Sequence, residues 1–214
     1  MKFCFFNNQI IPIENAHISP FDLGITRGYA VFDFLRTYNG KLFLLREHLD
    51  RFYNSARLLR LPVPYSNEQI EKIITDLLAK NEAREAQIRL ILTGGASMDA
   101  STVTSPTFYI LIEDLVTPNE SIYQAGVKVI TEEFQRDFFE AKTTDYKKAI
   151  STKMEREKEG AYEVVFVKDG SVLEATTSNI FIVKYGAIVT PDEGILIGRT
   201  RNFVIDICRE NGFP

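Results

Sequence analysis

Three separated groups of residues could together bind and use one organic cofactor. Lys142 supplies an amine, and a neutral amine can condense with an aldehyde. Glu174, which follows an Asp-Gly turn, supplies a carboxylate that can keep a ring nitrogen protonated. Gly198, Arg199 and Thr200 precede a predicted helix, and main-chain N–H groups at the start of a helix bind phosphate. These three kinds of group are what pyridoxal phosphate requires.

The sequences around these residues resemble the fold-type IV pyridoxal-phosphate family. Lys142 opens a segment similar to the family's Lys-x-x-Asn motif, with Asp145 at the position of the Asn. Glu174 opens a segment that resembles Glu-x-x-x-x-Asn-[Ile/Leu]-Phe, and Arg199 replaces the Ile of the family's Gly-Ile-Thr-Arg turn. The family includes branched-chain and D-amino acid aminotransferases and aminodeoxychorismate lyases.

The resemblance implies a role for each matching residue. Lys142 would bond the cofactor and move the substrate proton, and Glu174 would face the ring nitrogen. Arg51 lies in a segment similar to the family's His-[Leu/Ile]-x-Arg helix, whose arginine holds the phosphate. Its planar guanidinium suits that task because it binds an oxyanion through two hydrogen bonds. The implied cofactor ligands are Arg51, Lys142, Tyr146, Glu174, Arg199 and Thr200.

Two further residues, Phe32 and Arg89, match positions on the substrate side of the family's site. Taken alone, several of these residues have a purely structural interpretation. Phe32 could be a core aromatic residue, Arg51 an exposed arginine of a helix, and Glu174 an exposed strand carboxylate. Only the combination of motifs, in the family's order, favours the functional interpretation.

Hydrophobic patterning and turn residues predict an α+β chain of two domains. The resemblance implies that residues 1–133 form a smaller N-terminal domain, an α/β sandwich, and that residues 134–214 form a cofactor domain of the D-amino acid aminotransferase-like type. The resemblance implies that this second domain is truncated at its C-terminal end. The patterns predict strands over 30–38, 87–93, 107–113, 127–132, 164–167 and 171–174, and helices over 46–60, after Ser66, 147–159 and 200–210.

The resemblance implies a pyridoxal-phosphate-dependent aminotransferase that moves an amino group between an amino acid and a 2-oxo acid. Two alternatives stay open: an aminodeoxychorismate lyase that releases pyruvate, and a non-catalytic relative. The arginine that D-amino acid transaminases use for the substrate carboxylate falls at Gly94, so a D-amino acid substrate is not supported. A homodimer is also implied by the resemblance.

Composition excludes several other classes of protein. The formal net charge is −4, whereas nucleic-acid binding favours a basic face. The two cysteines, Cys4 and Cys208, are no disulfide framework, which favours the reducing cytoplasm. The apolar runs are too short for a membrane span, the first residues do not resemble a signal peptide, and no metal-ligand cluster is present in the sequence.

Overall fold

The structure is a computed structural model that describes residues 1–214 and divides into two compact units. The first unit contains Met1–Thr117 and Ala141–Asp145, and the second contains Pro118–Glu140 and Tyr146–Pro214. Both units mix helices with sheet, which agrees with the predicted α+β class.

The first unit is built on one antiparallel sheet of six strands in the order β2-β1-β6-β5-β3-β4. Its helices are α1 (Leu23–Thr26), α2 (Leu45–Leu58) and α3 (Asn67–Lys80), with a 3-10 turn at Ile13–Asn15. The strands are β1 (Phe3–Phe6), β2 (Gln9–Pro12), β3 (Ala30–Tyr38), β4 (Lys41–Leu42), β5 (Ala86–Thr93) and β6 (Phe108–Asp114).

Local signals explain why these elements form. Asn39 and Gly40 both have positive φ, at 51° and 76°, which is the geometry of the tight turn that joins β3 to β4. Ser66 and Gln69 form a capping box at the start of α3, as predicted. Helix α2 begins at Leu45 and α3 at Asn67, within a residue of the predicted positions.

The hydrophobic core of the first unit lies between the sheet and the apolar sides of α2 and α3. Each large apolar side chain buried there contributes roughly 1.5–3 kcal/mol of hydrophobic stabilisation. Successive residues of a strand point to opposite faces, so Val31, Asp33 and Leu35 share the helix-facing side of β3. Phe32 and Phe34 lie on the opposite face. The largest fully buried members of the core are Phe52, Phe108, Leu49, Ile70, Ile74, Leu77, Ile88, Leu90, Leu92, Ile110 and Val31.

The short segment Ala141–Asp145 returns to the first unit and lies along the edge of β3. Strand β4 pairs only with Thr37 and Tyr38, which leaves the beginning of β3 without a partner on that side. The segment supplies it: Phe32 N–H donates to Lys142 O at 2.9 Å and Thr144 N–H to Ala30 O at 3.1 Å. This pairing brings the predicted cofactor lysine onto the first unit.

The second unit contains a three-stranded sheet in the order β7-β8-β9 and a separate β10-β11 hairpin. Strands β7 and β8 are parallel, and β8 and β9 are antiparallel around the Asp169-Gly170 turn. The helices are α4 (Ser121–Ala125), α5 (Lys147–Ser151), α6 (Lys153–Lys158) and α7 (Arg199–Glu210). The strands are β7 (Val129–Glu133), β8 (Glu163–Lys168), β9 (Ser171–Ala175), β10 (Ile182–Lys184) and β11 (Ala187–Val189).

Three features of the second unit differ from the sequence predictions. The helix predicted over 147–159 is two short helices that meet at Thr152, whose hydroxyl donates to Lys148 O at 2.9 Å; such bonds to the preceding turn bend helices. Strand β7 pairs with β8, so the second unit includes residues before the predicted division at 133/134. Helix α7 begins at Arg199 with Gly198 as its N-cap, one residue before the predicted start at 200.

None of the helices combines the length and the apolar composition that a bilayer crossing requires.

Candidate cofactor site

The predicted site residues fall into two sets, one in each unit. Phe32, Arg51, Arg89 and Lys142 belong to the first unit, and the others to the second. Each set is described in turn. The second set consists of Tyr146, Glu174, Arg199 and Thr200.

Lys142 is half-buried and its amine lies 4.5 Å from the centre of the Phe32 ring. Its main chain is held on both sides. The N–H donates to Ser55 Oγ on α2 at 2.9 Å, and the carbonyl accepts from Phe32 N–H on β3 at 2.9 Å. Ala141, just before it, is fully buried. The starting point of the lysine side chain is therefore fixed by a helix and a strand together.

Arg51 is buried in α2, which rules out the interpretation of an exposed arginine. It forms two hydrogen bonds with Asp33 of β3, Nε to Oδ2 at 2.8 Å and Nη2 to Oδ1 at 2.9 Å. His48 Nδ1 donates to the same Asp33 Oδ1 at 2.7 Å. A guanidinium has five N–H donors, so Nη1 keeps its two for another acceptor. Asp33 was not identified from the sequence.

The pKa of Asp33 reflects two opposing effects. Complete burial disfavours the charged carboxylate, but the hydrogen bonds and charges of Arg51 and His48 outweigh it and lower the pKa of Asp33 to about 2. Asp33 is therefore an anion that keeps a cationic Arg51 in the interior of the first unit.

Arg89 of β5 lies opposite Phe34 of β3, on the sheet face that points away from α2 and α3. Its guanidinium lies 5.0 Å from the centre of the Phe34 ring and 5.9 Å from that of Phe32. It also forms two hydrogen bonds with Glu113, at 3.1 and 2.9 Å. The two predicted substrate residues, Phe32 and Arg89, thus lie next to each other on this face.

In the second unit, Glu174 is a buried carboxylate at the end of β9, and the interpretation of an exposed strand residue is wrong. Its Oε1 accepts from Arg136 Nε at 2.9 Å, and its Oε2 accepts from Leu196 N–H at 3.1 Å. A second nitrogen of Arg136, Nη2, donates to the same Oε1, so the guanidinium binds this carboxylate oxygen through two N–H groups. Arg136 lies just after the predicted domain division, and its pairing with Glu174 was not predicted from the sequence.

The turn before α7 is held close to the end of the Glu174 motif. Asn179 Nδ2 donates to Leu196 O at 2.9 Å, and a Cβ atom on Gly198 would lie 2.0 Å from Asn179 Oδ1. Any larger residue at position 198 would have to displace the Asn179 side chain. The first helical hydrogen bond runs from Asn202 N–H to Gly198 O, so the N–H groups of Thr200 and Arg201 are not used within α7.

Four further side chains in the predicted segments differ in their exposure and contacts. Thr200 is exposed in the first turn of α7, and Tyr146 is half-buried at the start of α5. Asp145, the departure from the family's Asn, is exposed. Arg199 donates from Nη2 to Ile197 O at 3.0 Å, which keeps its guanidinium on its own turn.

The donor sets fit pyridoxal phosphate. The first unit offers an amine with a fixed main chain and a buried guanidinium with unused donors, and the second offers a buried carboxylate and a helix N-terminus that is suited to phosphate. The amine suits the aldehyde of the cofactor, the guanidinium and the helix N-terminus suit its phosphate, and the carboxylate suits its ring nitrogen.

Comparison with known proteins agrees with a pyridoxal-phosphate site. The family described as class IV amino-transferases matches residues 30–214. A putative branched-chain-amino-acid aminotransferase from Methanocaldococcus jannaschii is 32% identical, over 97% of this chain and 75% of the relative. A D-alanine aminotransferase from Listeria monocytogenes is 31% identical over the same shares. The chain thus spans about three quarters of the length of these relatives.

Solved structures show the same fold. The structure of the T.th. branched-chain amino acid aminotransferase with pyridoxamine 5'-phosphate is 27% identical, with a TM-score of 0.91 over 99% of this chain and 74% of that chain. The sequence match over most of the chain and the shared fold lead to one conclusion: this protein belongs to the class IV aminotransferases, enzymes that depend on pyridoxal phosphate.

Proposed function

We propose that this aminotransferase acts on an α-amino acid and a 2-oxo acid with Lys142 as its catalytic amine. The observation that carries the proposal is the double anchoring of the Lys142 main chain, to Ser55 on one side and Phe32 on the other. Such anchoring holds a reacting group in one place, which is a large part of what an enzyme site contributes. Lys142 would hold the cofactor through its amine and would also accept the proton from the substrate Cα.

The other residues position and charge the cofactor. When bound, pyridoxal phosphate supplies an aldehyde and an electron-accepting ring. Glu174 would face the ring nitrogen and favour its protonated form, and Arg136 holds the Glu174 carboxylate in place by pairing with it. Arg51, through Nη1, and the main chain of Arg199 and Thr200 bind the phosphate. Tyr146, at the start of α5, would be a further cofactor ligand.

We assign the substrate carboxylate to Arg89 and the substrate side chain to the face that carries Phe32. Arg89 is held by Glu113 and flanked by Phe32 and Phe34, so its planar cation lies beside an apolar surface. An arginine in this setting suits an amino acid that has a carboxylate at one end and an apolar side chain at the other.

L-amino acids with branched apolar side chains are the substrate class that we favour. The arginine that D-amino acid transaminases use would fall at Gly94, where even a Cβ atom would lie 2.8 and 2.9 Å from the Leu23 side chain. No arginine fits there without moving α1. The relatives and neighbours named above are aminotransferases, which leaves the lyase alternative without support.

A trapping experiment tests the assignment of Lys142. The purified protein is mixed with pyridoxal phosphate, reduced with borohydride and digested, and the modified peptide is identified. We expect the modified residue to be Lys142. Lys142→Ala should lose both the modification and transamination. Lys147→Ala, which removes a nearby exposed lysine, should keep both. Modification at another lysine, or full turnover by Lys142→Ala, would contradict the proposal.

A substrate test separates the remaining alternatives. L-leucine, L-valine and D-alanine are each offered with 2-oxoglutarate, and the new amino acid is measured. We expect the two L-amino acids to react and D-alanine to be a poor substrate. Preference for D-alanine would contradict the argument from Gly94, and release of pyruvate from aminodeoxychorismate without any oxo acid would favour the lyase.

We also propose a homodimer and a cytoplasmic location. Phe21, Ile25 and Met98 are all more than half exposed, on two segments that Ser97 N–H joins by donating to Phe21 O at 3.0 Å. An apolar patch of this kind marks a protein contact. Sedimentation should show a dimer that Ile25→Glu dissociates and that Val116→Glu, at another exposed apolar position, does not.

The cytoplasmic location is supported by the cysteines: both are free thiols, which suits a reducing compartment.

A further inference from the structure

Ser55 is fully buried in α2, one helical turn after Arg51, and its hydroxyl joins two parts of the candidate site. Ser55 Oγ donates to Arg51 O at 2.8 Å and accepts from Lys142 N–H at 2.9 Å. A hydroxyl has a single hydrogen to donate. Because Arg51 O takes that hydrogen, the oxygen lone pairs are directed towards Lys142.

The same helical turn is held in place by β3. Arg51 is bound through two hydrogen bonds to Asp33, which is fully buried in the middle of that strand. Lys142 O accepts from the N–H of Phe32, the residue just before Asp33. Two neighbouring residues of β3 thus hold the guanidinium and the lysine main chain, and Ser55 closes the connection from the helix side.

We propose that Ser55 is a positioning residue that sets the Lys142 amine relative to the Arg51 guanidinium. The inference rests on the proposed function, in which Lys142 bonds the cofactor aldehyde and Arg51 binds its phosphate. The aldehyde and the short arm that carries the phosphate are attached to neighbouring carbons of one rigid ring, so the amine must meet the aldehyde while the phosphate is held. Ser55 is the one side chain that bonds both the turn of Arg51 and the main chain of Lys142.

The alternative is that Ser55 only satisfies a buried N–H group. If the role of Ser55 is purely structural, its loss should lower the stability of the first unit and weaken the binding of every form of the cofactor to the same extent. If Ser55 is a positioning residue, its loss should slow the step that needs the lysine and leave the binding of the phosphate and of the ring nearly unchanged. Pyridoxamine phosphate separates the two roles, since it has the ring and the phosphate but no aldehyde for Lys142 to bond.

The test compares Ser55→Ala with the parent protein and with Thr152→Val. Thr152 is a matched control: it is also buried and also donates to the carbonyl four residues before it, but its hydroxyl bonds Lys148 and Ala149, which are not proposed cofactor residues. The first measurement is the rate at which pyridoxal phosphate becomes trapped on Lys142 by borohydride. The second is the dissociation constant of pyridoxamine phosphate, and the third is the thermal unfolding temperature.

We expect Ser55→Ala to lower the trapping rate by about tenfold or more, as a small misplacement of a reacting group does. Its affinity for pyridoxamine phosphate should change by less than about threefold, which corresponds to less than one kcal/mol. In Ser55→Cys, which keeps a weak donor and acceptor of similar size, pyridoxal phosphate should become trapped on Lys142 at a rate between those of the parent and Ser55→Ala. Thr152→Val should match the parent in both measurements.

Equal losses of trapping and of pyridoxamine phosphate binding would overturn the proposal in favour of a structural role, as would an unchanged trapping rate. If Ser55→Ala does not fold, Ser55→Cys decides the question by the same comparison. Failure of the underlying function has a different outcome, because the parent protein itself would then show no adduct on Lys142.

Discussion

Arg51 and Asp33 form a paired cation and anion inside the first unit, joined by hydrogen bonds of 2.8 and 2.9 Å. Asp33 is fully buried and Arg51 nearly so. Removing one partner of such a pair leaves the other charge buried without compensation. The pair therefore links the stability of the first unit to the orientation of the proposed phosphate ligand.

Asp33→Asn should destabilise the first unit by about 3–5 kcal/mol, because it keeps the shape of the side chain and removes the charge that compensates Arg51. Hydrogen exchange of the β5 amides measures this unit directly. Glu113→Gln is the control, since Arg89 and Glu113 have similar geometry but are about one third exposed. We expect it to cost less than about 1 kcal/mol. Equal effects of the two substitutions would contradict the argument from burial.

The Asp33 carboxylate should also make stability depend on pH in the acid range. Its pKa in the folded protein is about 2, below its ordinary value of 3.8, because the hydrogen bonds of Arg51 and His48 outweigh the effect of burial. The stabilisation is therefore complete above about pH 4 and is lost as the pH falls towards 2, by roughly 2 kcal/mol in total. The measurement is urea unfolding from pH 6 to pH 2.5.

The control for this pH dependence is Asp33→Asn, which has no carboxylate to titrate at that position. The stability difference between parent and variant should shrink as the pH falls below 4. A difference that stays constant over this range would mean that Asp33 has the same pKa in the folded and unfolded chains.

The buried Glu174 and the partly buried Arg136 form a second ion pair, which a double-mutant cycle can test. Arg136→Met should destabilise the second unit by about 3 kcal/mol, because it removes the cation that compensates the buried Glu174 carboxylate. Glu174→Gln in the same chain should restore much of that stability, since no uncompensated charge remains. Denaturation followed by circular dichroism gives the four free energies. Simple addition of the two effects would show that the residues are not coupled.

Local chemistry explains which parts of the fold the sequence could predict. The Asn39-Gly40 turn and the Ser66–Gln69 capping box each depend on residues within one turn of chain, and both occur as expected. The continuous helix over 147–159 was wrong because periodicity does not register the hydrogen bond that Thr152 makes to the preceding turn.

Long-range pairs explain what the sequence could not predict. The polar position of Arg51 on the helix suggested exposure, and its partner Asp33 comes from a strand that only the folded sheet places beside α2. Arg136 and Glu174 are likewise distant in sequence. One signal was available: Asp33 is a charged residue between apolar residues of a strand, on the same face as Val31 and Leu35, and such a residue needs a buried partner.

Gly198→Ala tests the close approach that shapes the turn before α7. The added Cβ would lie 2.0 Å from Asn179 Oδ1, so the substitution must displace the amide that donates to Leu196 O. We expect a loss of about 1–3 kcal/mol in stability, typical of overpacking, and weaker binding of pyridoxamine phosphate because the first turn of α7 moves. Asn179→Ala in the same chain removes the clash and should recover part of the affinity. If Gly198→Ala binds pyridoxamine phosphate as tightly as the parent, the turn is not a phosphate site of the kind that we propose.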